Sequence, residues 1–260
     1  MTYSSTVLAD SPSGYWRLGD AAGPTATAAV GNNLAVDVNS PTFGAAGLLT
    51  GDSDLAMSFV AASSQRVAGS DTGLPIGNGT WSAEAWIKTT QAAEAVFINW
   101  GTAGTEQDAS FGILSGALTF DSTSRFHSFG GTVNDNVRHH VVLTWDGTTM
   151  LAYKDGVQVG VGWLYPGAGG VLNLTLAGAK GMIIGRRSVR FYDGTLDEVA
   201  IYPTKLSATK VLAHYTAGIT APVTVTSGLH WAGRNFRRQP VNPYAIEADD
   251  EEVLLLVSAA

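Results

Sequence analysis

Between residues 138 and 162, apolar and polar positions alternate with a period of two, the signature of strands whose two faces differ. Val141, Leu143 and Trp145 fall on one side, and His140, Val142 and Thr144 on the other. Asp146-Gly147 and Asp155-Gly156 punctuate the run. Asp-Gly suits tight turns whose two central residues take positive φ, because glycine has no Cβ to clash and aspartate tolerates that region. Three strands are therefore predicted, with Trp145 and Tyr153 on one buried face. Residues 80–89 alternate as strictly, placing Trp81, Ala83, Ala85 and Ile87 against Ser82, Glu84, Trp86 and Lys88.

Shorter runs of the same kind predict strands at 15–20, 95–100, 109–114, 117–121, 171–176, 181–186 and 194–202, with Ser115-Gly116 as a two-residue turn. Residues 55–60 and 65–68 read as a strand pair. Residues 21–54 read as loop, with one strand near 35–38. One helix is predicted over 207–216, capped by Ser207, striped with Val211, Leu212 and Tyr215, and stopped by Gly218. Its expected place is the rim of the sheets.

Many short strands and one helix predict an all-β fold, a two-sheet antiparallel jelly-roll sandwich with one short C-terminal helix over residues 1–218. The character changes at Ile219. Residues 219–260 carry a basic cluster (Arg234, Arg237, Arg238), an acidic run at 249–252 and a closing apolar run at 253–257. They read as an extended C-terminal docking or oligomerisation arm.

Composition narrows the function. The 31 glycines and 14% charged residues suit short strands and tight turns. With 15 basic against 22 acidic residues the net charge is −7, so a general nucleic-acid surface, which needs clustered cations, is not expected. The first residues lack the basic and apolar regions of a signal peptide, and no run of about 18 apolar residues exists to span a membrane. Synthesis in a bacterial cytoplasm without a signal peptide is expected. The absence of cysteine agrees with that setting.

Five strings occur in a telling order: YWRLGD at 15–20, LAMSF at 55–59, WSAEAWIK at 81–88, RHHVVLTWDGTTMLAYKDGVQVG at 138–160 and YDGTLDEVAIYPTKLSATKVLAHY at 192–215. Together they resemble the laminin-G-like, concanavalin A-like lectin/glucanase domain found in many bacterial and bacteriophage proteins. The resemblance covers residues 3–218 and implies the jelly-roll sandwich already predicted. It also implies a structural Ca²⁺ held by oxygen ligands at a sheet edge. Asp197 matches the family's usual carboxylate, with Asp20 and Asp37 or Asn39 as partners; the alternative is that Asp197 accepts backbone N–H bonds. Glu106-Gln107-Asp108 also resembles a pentraxin calcium loop, but falls too early in the order to count.

Lectin-like sandwiches bind glycans with exposed aromatic rings and polar loop groups. The candidates are Phe126, His127, Trp163, Tyr165 and Tyr192, joined by Phe129 and Phe191, with Arg125 and Arg190 as hydrogen-bond donors. The alternative is that these rings cover sheet edges or a neighbouring subunit. His139 and His140 point to opposite faces of a strand, so they do not share a metal. Glycoside hydrolysis needs two carboxylates flanking one bond, and neither an E-x-D-x-x-E string nor a Gly-x-Ser-x-Gly elbow is present.

In the arm, Trp231, Phe236 and Tyr244 interleave with Arg234 and Arg237, and Leu254 and Leu256 lie in a β-prone run suited to pairing with a partner's sheet edge. The expectation is a non-enzymatic bacteriophage virion protein, a capsid decoration or tail-associated adhesion subunit at the virion surface. Its partners would be other virion proteins, further copies of itself (as in a trimer) and glycans. The alternatives are a stand-alone calcium-dependent carbohydrate-binding module or a glycoside hydrolase.

Overall fold

The computed structural model describes residues 2–123, 125–163 and 172–221, the side chain of Trp163 excepted. The expectations for Trp163, for Tyr165 and for the arm residues Trp231, Arg234, Phe236, Arg237, Tyr244, Leu254 and Leu256 lie outside these residues.

The chain opens with a helix, α1 (Tyr3–Ala9), followed by β1 (Gly14–Trp16), β2 (Thr25–Ala26), β3 (Ala28–Val30), β4 (Leu34–Val38) and β5 (Thr42–Ala46). Next come β6 (Leu55–Phe59), β7 (Arg66–Gly69), β8 (Trp81–Lys88), β9 (Ala95–Gly101), β10 (Asp108–Leu114), β11 (Ala117–Ser122) and β12 (Arg125–Gly130). The meander is β13 (His139–Trp145), β14 (Thr149–Lys154) and β15 (Val157–Trp163). After it lie β16 (Met182–Ile184), a small hairpin of β17 (Arg186–Arg187) and β18 (Arg190–Phe191), the long β19 (Gly194–Tyr202) and α2 (Ala208–Ile219).

The strands form two antiparallel sheets, a jelly-roll sandwich as the sequence predicts. The first runs β15-β14-β13-β8-β19-β1-β3, with β6 also on β19 and β5 on β6. The second runs β12-β11-β10-β9-β16-β7-β4-β2. Between them lies one apolar core, to which β8 contributes Trp81, Ala83, Ala85 and Ile87, and β13 contributes Val141, Leu143 and Trp145. Trp81 meets Trp100 of the facing sheet edge-on, ring centres 5.0 Å apart.

The other face of the first sheet is buried as well. Beneath α1 and α2 lies a second cluster that includes Tyr3, Val7, Tyr15, Trp86, Val142, Tyr202 and Val211. Here α2 packs flat on the sheet and not on its rim. Gly218 does not end the helix; it lies inside α2, where an added Cβ would fall 2.2 Å from Trp86 Cζ2. The residue is glycine because helix and indole ring approach too closely for any side chain. Ser207 does cap α2, accepting from the Lys210 N–H at 3.3 Å. The first helix was not predicted; Thr2 caps it, accepting from the Ser5 N–H at 3.2 Å.

Four other expectations change, the first being that residues 172–176 of the strand predicted at 171–176 hold an isolated bridge from Leu174 to Gly77 instead of a strand. Tyr153 lies on the face opposite Trp145: it pairs with Val142, while Met150 and Ala152 pair with Trp145 and Leu143. A hairpin connection with an even number of residues brings odd positions against even ones, so Tyr153 joins the helix-covered face. The strands β6 and β7 are not a pair but belong to different sheets. Within residues 21–54, β2, β3 and β5 are strands as well as β4. The turn at Asp155-Gly156 is as predicted, with φ of 51° and 78°. At the other turn Asp146 acts through its side chain, whose Oδ1 accepts from the Thr148 and Thr149 N–H groups. No helix among the described residues is long and apolar enough to cross a membrane.

Candidate functional site: a groove on the outer face of the second sheet

Strand pairing places Phe126, Asp121, Ser110, Asn99 and Ile183 in one row across β12, β11, β10, β9 and β16. Their sequence neighbours Phe120, Phe111, Ile98 and Ile184 point into the core. The row therefore faces outward, by the alternation of strand side chains. Over it stands the β17–β18 hairpin. Together they enclose a groove of about 640 Å³, lined among others by Asn99, Asp108, Asp121, Lys180, Arg187 and Arg190. A groove of this volume is in the range of small-molecule sites. Five strands about 4.8 Å apart make the row roughly 19 Å long, more than a single sugar ring needs.

The hairpin is held by charge. Ser188 sits at φ 53° in its turn, and Arg187 pairs with Arg190 across it. Both side chains thus reach the sheet. Arg187 donates from Nε to Asp108 Oδ2 at 2.6 Å, from Nη1 to Asp121 Oδ2 at 2.6 Å and from Nη2 to Thr123 Oγ1 at 2.8 Å. Arg190 lies against Asp121 through Nη1 and against Glu94 through Nε at 3.1 Å. Asp108 Oδ1 also accepts from the Thr123 N–H at 2.9 Å, and Asn99 Nδ2 donates to Ser110 Oγ at 2.9 Å. The floor is a rigid set of donors and acceptors flanked by Phe126, which is 47% exposed. Flat apolar rings beside fixed hydrogen-bonding groups suit polyhydroxyl ligands, whose C–H and O–H faces differ.

The structure divides the predicted glycan set. Phe126 lies on the same outward row, beside Asp121 and just outside the groove lining, whereas Arg190 lines the groove. His127, adjacent on β12, points the opposite way and packs on Phe129, ring centres 4.6 Å apart. Tyr192 is only 1% exposed, sealed in the core against Phe59 and Phe97. It has no free face for a sugar. Arg125 is buried and donates from Nε to Glu106 Oε1 at 2.7 Å, and Phe191 carries the Arg186 guanidinium 5.0 Å from its ring centre. Sequence reasoning missed Asn99, Asp121 and Arg187, and set Asp108 aside with the Glu106-Gln107-Asp108 string. The visible signal was a pair of carboxylates, Asp108 just before the strand predicted at 109–114 and Asp121 at the end of the one predicted at 117–121.

The four predicted calcium ligands are not gathered. Asp37 ion-pairs with Arg66 and Lys180 on the second sheet, and Asn39 donates to the Ser63 carbonyl at 2.7 Å. Asp20 accepts from the Thr27 N–H at 2.8 Å and its hydroxyl at 2.7 Å. Asp197 sits at a bulge in β19, where Glu198 has φ 53°. Its Oδ2 accepts the Leu48 N–H at 2.8 Å, the alternative reading of this residue, while Oδ1 is buried without a partner.

Near Asp197 lie Glu198 and Asp54, but the cation among them is Arg17. It donates to Glu198 Oε1 from Nε at 2.9 Å and Nη2 at 2.7 Å, and meets Asp52 at 2.9 Å and Asp54 at 3.0 Å. Burial, then the Glu198 charge, pushes Asp197 well above the usual carboxylate range; burial pushes Glu198 up to about 7. Arg17 donates its hydrogen bonds to Glu198, which favours the charged form of that carboxylate. Among the described residues no three histidine, aspartate or glutamate side chains are grouped so as to hold a metal ion. The residues present do not fit the expected calcium site.

His139 and His140 face apart, as predicted. His139 lies between Asp155 at 2.7 Å and Asp135 at 3.0 Å, whereas His140 is buried under the helices against Glu84 at 3.1 Å.

Residues 61–212 match the Laminin_G_3 family of the concanavalin A-like lectin/glucanases superfamily, and the chain belongs to it. The fold is similar to domain 4 of AbnA, a GH43 extracellular arabinanase from Geobacillus stearothermophilus, solved in complex with arabinotriose. The identity there is 15% and the TM-score 0.56, over 78% of this chain and 98% of that one. It is also similar to the binding domain of botulinum neurotoxin serotype D, at 15% identity and TM-score 0.55, over 81% of this chain and 52% of that one. The binding domain of botulinum neurotoxin DC in complex with SialylT gives 13% and 0.55, over 80% and 52%. The chain thus spans about half of the neurotoxin chains. At these identities the likeness is one of fold. No curated protein sequence matches the chain.

Proposed function

We propose that this chain is a non-catalytic carbohydrate-recognition domain whose ligand lies in the groove on the outer face of the second sheet. The observation that carries this reading is the coincidence, on one outward row, of an exposed ring at Phe126 with the fixed polar groups of Asp121, Ser110 and Asn99. The similarity to a domain solved with arabinotriose supports it. Asp108 and Asp121 share one guanidinium, so their oxygens serve as fixed acceptors rather than as an acid and a base on either side of a glycosidic bond. Affinity electrophoresis in gels containing soluble polysaccharides tests the reading. Retardation by at least one polysaccharide, with no release of reducing sugar, is expected; no retardation across arabinan, xylan, β-glucan and mannan would overturn it.

The setting proposed for this domain is a phage particle, with residues 219–260 as the attachment. Its support is compositional: aromatic and arginine side chains interleave at Trp231, Arg234, Phe236, Arg237 and Tyr244. Repeated display would let weak glycan contacts sum. Deleting residues 222–260 should abolish incorporation into particles while leaving polysaccharide retardation intact.

A further inference from the structure

The cations that line the groove all meet carboxylates of the same chain. Arg187 is clamped between Asp108 and Asp121. Arg190 lies between Asp121 and Glu94. Lys180 pairs with Asp37, which it shares with Arg66. Asp121 is the common member: one carboxylate oxygen, on a side chain 8% exposed, faces both groove arginines.

This arrangement has a consequence for selectivity. A ligand carboxylate entering the groove would approach two arginines whose charge is already opposed at contact distance by Asp121. It would also meet the negative charges of Asp108 and Asp121, in a partly water-excluded place where like charges repel more strongly than in bulk water. A neutral hydroxyl-rich chain meets no such cost. It can donate to the carboxylates and accept from guanidinium N–H groups, which have five donors to share.

Resting on the groove as the glycan site, we infer that Asp121 restricts it to uncharged glycans, and that removing the Asp121 charge opens it to acidic ones. The two arginines would then present a pair of planar donor forks, the geometry that suits carboxylates best. Glu94 acts in the same sense from outside the lining, since it opposes Arg190 alone.

The test is affinity electrophoresis of the full chain against neutral polysaccharides (arabinan, xylan, β-glucan, mannan) and acidic ones (polygalacturonate, alginate). The same gels carry the variants Asp121→Asn and Glu94→Gln, with melting curves to establish that each is folded. The wild type should be retarded by at least one neutral polymer and by no acidic one. Asp121→Asn should gain retardation by an acidic polymer, weakened by added salt, and Glu94→Gln a smaller gain. Because Glu94 lies outside the groove lining, it keeps the test decisive where Asp121→Asn does not fold. Retardation of the wild type by acidic polymers would overturn this inference and leave the glycan reading standing. So would neutral binding with no acidic gain in a folded variant. No retardation of any kind would overturn both.

Discussion

Glu84 on β8 and His214 on α2 are joined where water does not reach. His214 Nδ1 lies 3.0 Å from each Glu84 oxygen, and the carboxylate is 0% exposed. The other ring nitrogen lies 3.0 Å from Asp10, just after α1, and Lys210 reaches the same Asp10 at 2.6 Å. Both imidazole nitrogens face carboxylates, so His214 is an imidazolium, and two negative groups are matched by two positive ones. Tyr202 at 2.5 Å and His140 at 3.1 Å complete the shell around Glu84. One buried carboxylate thus ties both helices to the sheet.

This pair makes stability depend on pH in a definite way. Burial alone would raise Glu84, but the His214 charge and the histidine hydrogen bonds hold it well below the usual carboxylate range. Burial alone would lower His214, but Glu84 and then Asp10 raise it above the ordinary histidine value. Glu84 therefore stabilises the fold above the unfolded carboxylate value, an effect lost as pH falls through its depressed native one. His214 stabilises the fold below about 6.5, an effect lost as pH rises through its raised native value. Urea unfolding of Glu84→Gln should show a loss of about 3–5 kcal/mol near pH 6. The loss should shrink toward both alkaline and strongly acidic pH. A pH-independent difference would mean that the pair is not ionised.

Much of the fold is legible in the sequence because a strand's period of two survives burial. Trp81, Ala83, Ala85 and Ile87 fall on the core side as the pattern says. What the pattern does not report is that the opposite face is covered too. Glu84 reads as the lone carboxylate on the outward face of its strand, and only the docking of α2, well over a hundred residues later, makes it a buried one. The helix α1 carries a readable cap at Thr2, but its seven residues hold two serines and two β-branched side chains and show little helical propensity. The groove is less legible still. Asp108, Asp121 and Arg187 meet only through strand order, and neighbouring Phe126 and His127, grouped by sequence, are separated by the pleat.

Gly218 offers a test of how tightly α2 is seated. An alanine Cβ there would fall 2.2 Å from Trp86 Cζ2 and 3.1 Å from Leu49 Cδ2, and Trp86 itself is wholly buried. Exposed glycine-to-alanine changes inside helices stabilise by roughly 1 kcal/mol. Here overpacking outweighs that gain, and Gly218→Ala should destabilise by about 1–3 kcal/mol in chemical denaturation. A stabilised variant would show that helix and indole ring are not in contact.

Phe126 separates binding from folding. It is 47% exposed on the edge strand of the second sheet, so Phe126→Ala should leave the melting temperature nearly unchanged. Affinity for a retarding polysaccharide should fall about three- to tenfold, the loss expected for one aromatic contact. Tyr192→Phe should leave affinity untouched, since that ring is sealed in the core. Equal losses in both variants would place the ligand elsewhere.

The acidic cluster around Arg17 yields the last prediction. Asp197 and Glu198 have native values above their unfolded ones, so both favour the fold below about pH 4. That contribution is lost as pH rises through the native values, about 7 for Glu198. Arg17 opposes the loss by holding Glu198 in its charged form. Without it, neutral and alkaline pH would leave a buried carboxylate with Tyr15 as its one side-chain donor among the described residues. Arg17→Met should therefore lose little stability near pH 4 and about 3 kcal/mol near pH 8. Calcium or EDTA should not shift the wild-type melting temperature, because the guanidinium occupies the place among the carboxylates that a cation would need. A calcium-dependent rise would instead restore Asp197 to the ligand role that the sequence resemblance implies.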